Sequence, residues 1–282
     1  MNTNQIEDIK KLSARIRLDI LKMIANVGQG HMGGSLSIVE VLSVLYGKCM
    51  QYDVHNPRND NRDQLVLSKG HAGPALYSTL ANIGFFDKEM LYTLNQGGTN
   101  LPSHPDRNKT PGVDMTTGSL GQGISVAAGI AKGLKMKDSD NYVYAIVGDG
   151  ELNEGQCWEA FQFIAHYQLD NCIVFIDENK KQLDGTTEEV INPYHIVDKM
   201  KAFGFHVQKV KGNSEEEIYN AIEEAKTIKN KAHCIVLDTI KGQGVPFYET
   251  MVANHSVKFN QEVITENQKA IVALEQFIEE GL

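Results

Sequence analysis

The sequence predicts an α/β fold: a parallel sheet with helices on both faces. Three observations lead there. Runs such as YVYAIVG and CIVFI are apolar throughout instead of alternating, the pattern of strands covered on both sides. Stretches with helical spacing separate those runs, which is the order of a βαβ chain. The runs also end in glycine-, aspartate- and asparagine-containing turns, as strand exits do.

From the N-terminus, Ile6, Ile9, Ile16, Ile20 and Ile24 recur at helical spacing and predict an amphipathic helix over about residues 4–26. VGQGHMGGS ends it, with four glycines within seven residues. SIVEVLSVLYGKCM, from Ser37, reads as a second helix, with Ser37 and Glu40 spaced as a capping box. QLVLS is a short buried strand that runs into KGHAG, and ALYSTLANIG is helical. SHPDRNKTPGVDMTTGSLGQG is a long polar loop, followed by the small-residue helix ISVAAGIAKGLK. YVYAIVGDG is a strand with its exit turn, GQCWEAFQFIAHYQL a helix, and CIVFIDEN the next strand with its turn. FHVQKVKG and HCIVLDTIKGQG are two further strands, separated by the helix SEEEIYNAIEEAKTIKN. No linker or repeat interrupts the pattern. One domain over 1–282 is expected, with a C-terminal helix from about residue 261.

The bulk numbers exclude several functions. The chain is 41% hydrophobic and 22% charged, which supports a sizeable core. Its formal net charge of −9 argues against non-specific nucleic-acid or anionic-membrane binding, both of which need basic patches. MNTNQIEDIKKLSARIRL lacks the apolar core of a signal peptide, and no run of about eighteen apolar residues could span a membrane. Cys49, Cys157, Cys172 and Cys234 form no metal-like or CxxC cluster, so reduced thiols and a cytoplasmic location are expected.

The stretch IVGDGELNEG and the turn DEN that follows the next strand carry the chemistry. Asn179 lies 30 residues after Asp149, with one helix between, so a βαβ unit sets both turns side by side at the carboxyl edge of the sheet. Gly148 and Gly150 are expected to let a backbone approach closely and to offer amides. The following helix is expected to direct its N-terminus at the same spot, which suits a diphosphate. Asp149 supplies an anionic oxygen and Asn179 a neutral one. With diphosphate oxygens, a main-chain carbonyl and water they complete an octahedral Mg²⁺ or Ca²⁺ site.

GDG, about thirty residues and an Asn resemble the thiamine diphosphate-binding motif. GHMGGSLS, LSKGHA, SHPD, TTGSLGQG and GDGELNEG stand in the order found in transketolases, and the resemblance spans about residues 10–260. It implies the thiamine diphosphate-binding fold and transfer of a two-carbon ketol unit from a ketose or ketose phosphate to an aldehyde or aldose. That family joins a diphosphate-binding, a pyrimidine-binding and a C-terminal module, and this chain ends where the first should end. The resemblance therefore implies the N-terminal subunit of a split transketolase, inactive alone. Its partner would carry the pyrimidine-binding and C-terminal modules in an α2β2 heterotetramer.

Carried over by position, Asp149, Asn179 and the carbonyl of Lys181 would bind the metal, and Gly150 would contact the diphosphate. Gly118, Ser119 and Leu120 would line the pyrimidine and thiazolium with backbone atoms. Glu154 matches an acid of an inter-site carboxylate relay. His31, His71, His104 and, in ANHSVKF, His255 match histidines around the cofactor and the reacting end of the donor. Independent chemistry supports three of them: His31, His71 and His104 sit beside Gly or Pro in loops, where a rigid sheet presents catalytic groups. Imidazole titrates near working pH and can move the hydroxyl protons that ketol transfer requires. His55, His166, His195, His206 and His233 read as structural or surface residues.

Met32 and Ser103 stand where the family usually has Pro and Gly, and either could reshape the pocket mouth. Lys180 and Lys181 read as solvated surface charges. The glutamate that acts on the aminopyrimidine, and most of the sugar-phosphate contacts, belong to the missing module. Alternatives are the α chain of a 2-oxo acid dehydrogenase, which shares the GDG…N device, a 1-deoxyxylulose-5-phosphate synthase-like enzyme, which usually occupies one long chain, and a non-catalytic regulatory homologue.

Overall fold

The computed structural model describes residues 1–280. Gly281 and Leu282, the end of the expected 1–282 domain, lie outside the described residues. The first helix, α1 (Thr3–Val27), is started by Asn2, whose side chain accepts from the Gln5 amide, and is closed by Gly28 at φ 82°. A two-residue strand, β1 (Gln29–Gly30), leads to the one-turn α2 (Gly33–Leu36) and then α3 (Val39–Val44), which loosens into a π-helical turn over Leu45–Cys49. β2 (Gln64–Leu67) precedes α4 (Gly73–Asn82), and the long loop leads to α5 (Gln122–Met136). The central pair is β3 (Val143–Gly148) and β4 (Cys172–Glu178), joined through α6 (Gly155–His166).

A small hairpin follows, β5 (Lys181–Gln182) with β6 (Gly185–Thr186), then α7 (Thr187–Ile191) and α8 (Ile196–Ala202). β7 (His206–Lys211), α9 (Glu215–Thr227) and β8 (His233–Asp238) complete the sheet. The chain ends with α10 (Pro246–Thr250), β9 (Val257–Lys258), which pairs with β1, and α11 (Gln261–Glu280).

The main sheet has the order β2-β3-β4-β8-β7, and every pairing is parallel. The inner strands β3, β4 and β8 are largely apolar because both faces are covered, whereas the edge strand β7, HVQKVK, is polar and partly exposed. Tyr144, Ile146, Ile173, Phe175, Ile235 and Leu237 join a core with α1, α3, α4 and α9. The alternate residues Val143, Ala145, Val147, Val174, Ile176 and Val236 join a second core with α5, α6 and α8. Parallel register brings the exit turns of β2, β3, β4 and β8 to one edge, which is where the functional candidates gather.

Two local expectations are corrected. Ser37 and Glu40 do not form a capping box. Ser37 has helical angles, φ −70° and ψ −12°, and Ile38 begins α3 without a side-chain cap. Both side chains serve buried tertiary contacts instead: Ser37 Oγ donates to Asp177, and Glu40 pairs with Arg17. The helix after the GDG turn starts at Gly155, where the sequence places it, but its N-terminus is not directed at the site as expected. A 3₁₀ turn over Gly150–Asn153 intervenes, and Gly155 lies outside the cavity lining.

Candidate active site

A cavity of about 310 Å³ opens at the carboxyl edge of the sheet. His31, His71, His104 and His255 all line it. Ring centroids lie 5.8 Å apart for His31 and His71, 5.5 Å for His31 and His104, and 5.2 Å for His31 and His255. Four distant loops thus deliver four imidazoles to one spot. Each is held below its ordinary value. Burial, with Lys69 and His255 alongside, pushes His71 well down, and burial with Lys241 beside it takes His255 to about 4. Burial with His104 nearby lowers His31, and burial alone lowers His104. The cluster is therefore neutral at pH 7, and a neutral imidazole can both accept and donate a proton.

Asp149 and Asn179 line the same cavity, as expected of the exit turns of neighbouring strands. Asp149 is 2% exposed, and its carboxylate accepts from the backbone amides of Gly150 at 2.8 Å and Lys180 at 2.6 Å. No side-chain cation among the described residues pairs with it. Burial and the adjacent Asp177 push it up to about 7, so a cation placed beside it would be strongly favoured. Among the described residues, no three His, Cys, Asp or Glu gather into a metal-ligating cluster. Asp149 and Asn179 are thus a partial oxygen set, one that fits a hard cation whose remaining ligands come from elsewhere.

The opposite charge is also present. Lys69, Lys181 and Lys241 line the cavity, and burial with Lys69 nearby pushes Lys241 down to about 8. Crowded cations beside an uncompensated carboxylate suit a polyanion bound with its metal. Gly148, Gly150, Gly118 and Leu120 line the wall, and a Cβ on Gly150 would come 2.9 Å from Gln182 Cγ.

Other expectations need revision. The amides of the GDG turn are engaged within the protein: Gly148 donates to Glu151, Asp149 to the Asp177 carbonyl, and Gly150 to Asp149. Ser119 and Glu154 are not part of the cavity lining; Glu154 is exposed. Met32 is 0% exposed in the core, and Ser103 donates to Asn95; neither lines the cavity. Lys180 is exposed, as expected, though engaged in a surface ion pair, and Lys181 is half-buried. Lys180 pairs with Asp238 and donates to the Thr239 carbonyl, while Lys181 donates to the Met251 carbonyl.

Sequence reasoning missed Lys69, Glu151, Asp177 and Lys241. Glu151 is buried and accepts from Ser68 Oγ at 2.5 Å, the Gly121 amide at 2.8 Å and the Gly148 amide at 3.0 Å, tying three loops together. Lys241 donates to the Leu183 carbonyl at 2.5 Å and lies 3.2 Å from His255 Nδ1. A signal was available: each of the four stands at or just beyond the end of a strand, where a charged residue in an apolar or glycine context is unusual.

Residues 9–276 match the family described as "Transketolase, thiamine diphosphate binding domain". The chain is 50% identical over 264 residues to the 6-deoxy-6-sulfo-D-fructose transketolase subunit SqwG of Clostridium sp. strain MSTE9, covering 93% of this chain and 95% of that protein. It is 35% identical over 276 residues to an apulose-4-phosphate transketolase subunit of Phocaeicola vulgatus, covering 96% and 98%. Among solved structures, a transketolase variant of Pichia stipitis in complex with fructose 6-phosphate superposes with a TM-score of 0.85 at 29% identity, covering 96% of this chain and 44% of that one. The transketolase of Campylobacter jejuni gives 0.85 at 29% identity, covering 99% and 47%. The chain thus spans less than half of these solved transketolases.

Proposed function

The chain belongs to the transketolase family as its thiamine diphosphate-binding domain, and from that premise we propose that it is the N-terminal subunit of a two-chain, thiamine diphosphate-dependent transketolase. The observation that carries the reading is the meeting of four neutral imidazoles with Asp149 and Asn179 around one cavity. When bound, thiamine diphosphate supplies the nucleophilic carbon that holds the two-carbon unit during transfer.

Asp149, Asn179 and the carbonyl of Lys181 would hold Mg²⁺, or Ca²⁺, together with the diphosphate. Lys241 would balance remaining negative charge, Lys69 being already paired with Asp177, and Gly150 would border the diphosphate. Gly118 and Leu120 would border the rings, with Ser119 and Glu154 on the rim facing the partner. His31, His71, His104 and His255 would take up and return the protons of the donor and acceptor hydroxyls, and hold those hydroxyls by hydrogen bonds.

A partner chain with the pyrimidine-binding and C-terminal modules would close the cavity, in an α2β2 heterotetramer. Leu183 in the cavity lining, and Val190, Ile191 and Tyr194 after the small hairpin, are exposed apolar side chains that such a partner would cover. The whole described chain would then act as one diphosphate-binding domain. No helix of the described residues is long and apolar enough to cross a membrane. A cytoplasmic location fits the four buried free cysteines.

The donor is a ketose, and the acceptor an aldehyde or aldose. Half-identity to a protein named for 6-deoxy-6-sulfo-D-fructose makes that sugar the first donor to test. The test is a comparison of kcat/KM for 6-deoxy-6-sulfo-D-fructose, fructose 6-phosphate and unsubstituted fructose, using the chain reconstituted with its partner. Transfer from at least one ketose supports the reading. Release of CO₂ from a 2-oxo acid, with no ketol transfer, would contradict it.

A further inference from the structure

Asp177 is 0% exposed at the end of β4 and does not line the cavity. Its carboxylate is a junction. Oδ2 accepts from Lys69 Nζ at 2.6 Å, Ser37 Oγ at 2.7 Å and Asn179 Nδ2 at 2.8 Å. Oδ1 accepts from Thr239 Oγ1 at 2.5 Å. The donors come from four separate segments: the loop after α2, the exit of β2, the exit of β4 itself and the exit of β8.

The contact to Asn179 is directional. A carboxamide presents oxygen on one side and an amine on the other, and its partners decide which faces a ligand. With Nδ2 held by the carboxylate of Asp177, Oδ1 points away from it. There Oδ1 accepts only a long hydrogen bond from the Lys181 amide at 3.2 Å. A flipped amide would set its oxygen against a buried carboxylate oxygen and leave its amine in place of the oxygen, a group that cannot ligate a hard cation.

We propose that Asp177 is a positioning residue for the metal: it holds the Asn179 carboxamide with its oxygen toward the cavity while keeping Lys69 paired away from Asp149. This rests on the reading of Asn179 and Asp149 as metal-binding. Partners of this kind typically govern metal affinity by about 10- to 100-fold.

The test is calorimetric titration of Mg²⁺ into the chain–partner complex at saturating thiamine diphosphate, with thermal melting as the check on folding. Asp177→Asn is expected to weaken Mg²⁺ about 10- to 100-fold. Asn179→Asp separates positioning from simple ligand charge. It adds a negative oxygen ligand, which by charge alone would tighten Mg²⁺, but it also sets that carboxylate against Asp177. The expected result is weakening by about 10-fold or more. The exchanged pair, Asp177→Asn with Asn179→Asp, again opposes one donor to one acceptor and should bind Mg²⁺ more tightly than either single variant. Asp149→Ala is the control. If it leaves Mg²⁺ binding intact, the metal reading fails and takes this inference with it. If Asp149→Ala abolishes binding while Asp177→Asn stays within about twofold of the unsubstituted chain, the positioning role is overturned. Tighter Mg²⁺ binding by Asn179→Asp overturns it too, and that variant decides alone should Asp177→Asn fail to fold.

Discussion

The imidazoles of His71 and His255 lie with ring centroids 4.9 Å apart, one from the exit of β2 and one from the loop before β9. Two histidines this close cannot both carry charge cheaply, and both are held well below their ordinary value of 6.5, chiefly by burial. A value lowered in the folded state means that the unfolded chain binds protons more readily. The stabilising contribution is therefore complete above about 6.5 and drains away as the pH falls toward about 4. The melting temperature should drop across that window, and His255→Gln should flatten the drop. An unchanged slope in the variant would remove His255 from the acid response.

Turnover should separate from binding at the other histidines. His31→Ala, His71→Ala and His104→Ala should each lower kcat by about 10²- to 10⁴-fold, the range for loss of a general acid or base. The dissociation constant for thiamine diphosphate should move much less. Steady-state kinetics and calorimetry on the reconstituted complex measure the two effects. Wild-type kcat in all three variants would place the imidazoles outside the donor site.

Asp149→Ala and Asn179→Ala should abolish metal-dependent retention of the cofactor while the chain stays folded. The diphosphate would then face a protein of net charge −9 without its bridging cation. Gel filtration in the presence and absence of a chelator, followed by cofactor quantification, checks this. Equal retention by the variants and the parent would refute the metal assignment.

Gly70 is where the turn after β2 touches the loop that carries Gly118. A Cβ there would sit 2.8 Å from the Gly118 amide nitrogen and 2.8 Å from Thr117 Oγ1. Gly70→Ala must push two site loops apart. Urea unfolding should register a loss of about 1–3 kcal/mol, as overpacking usually gives, and cofactor affinity should fall with it. A variant of parental stability would show that the loops can yield.

Much of this was legible in the amino-acid pattern. Uniformly apolar runs such as CIVFI announce a sheet covered on both faces. The two polar turns at the ends of such strands announced where a ligand would sit. The four histidines found by resemblance do meet at one cavity. Less legible was anything set by tertiary partners. Ser37 looked like a helix cap because its spacing to Glu40 was right, yet each residue answers to a buried group far away in sequence, Asp177 and Arg17. Asp177 itself was hidden inside an apparent strand, and Lys69 was overshadowed by its neighbour His71. Lys180 is exposed as its sequence context suggests, but nothing local shows the Met251 carbonyl that holds the half-buried Lys181.

The claim on which the rest depends is that this chain is half of an active site. The direct measurement is ketol transfer by the 282-residue chain at saturating thiamine diphosphate and Mg²⁺, with and without a chain carrying the pyrimidine-binding and C-terminal modules. The account predicts no transfer from the chain alone and robust transfer once the partner is added, with the two chains co-eluting more tightly when cofactor is present. Full activity from the chain alone would contradict it.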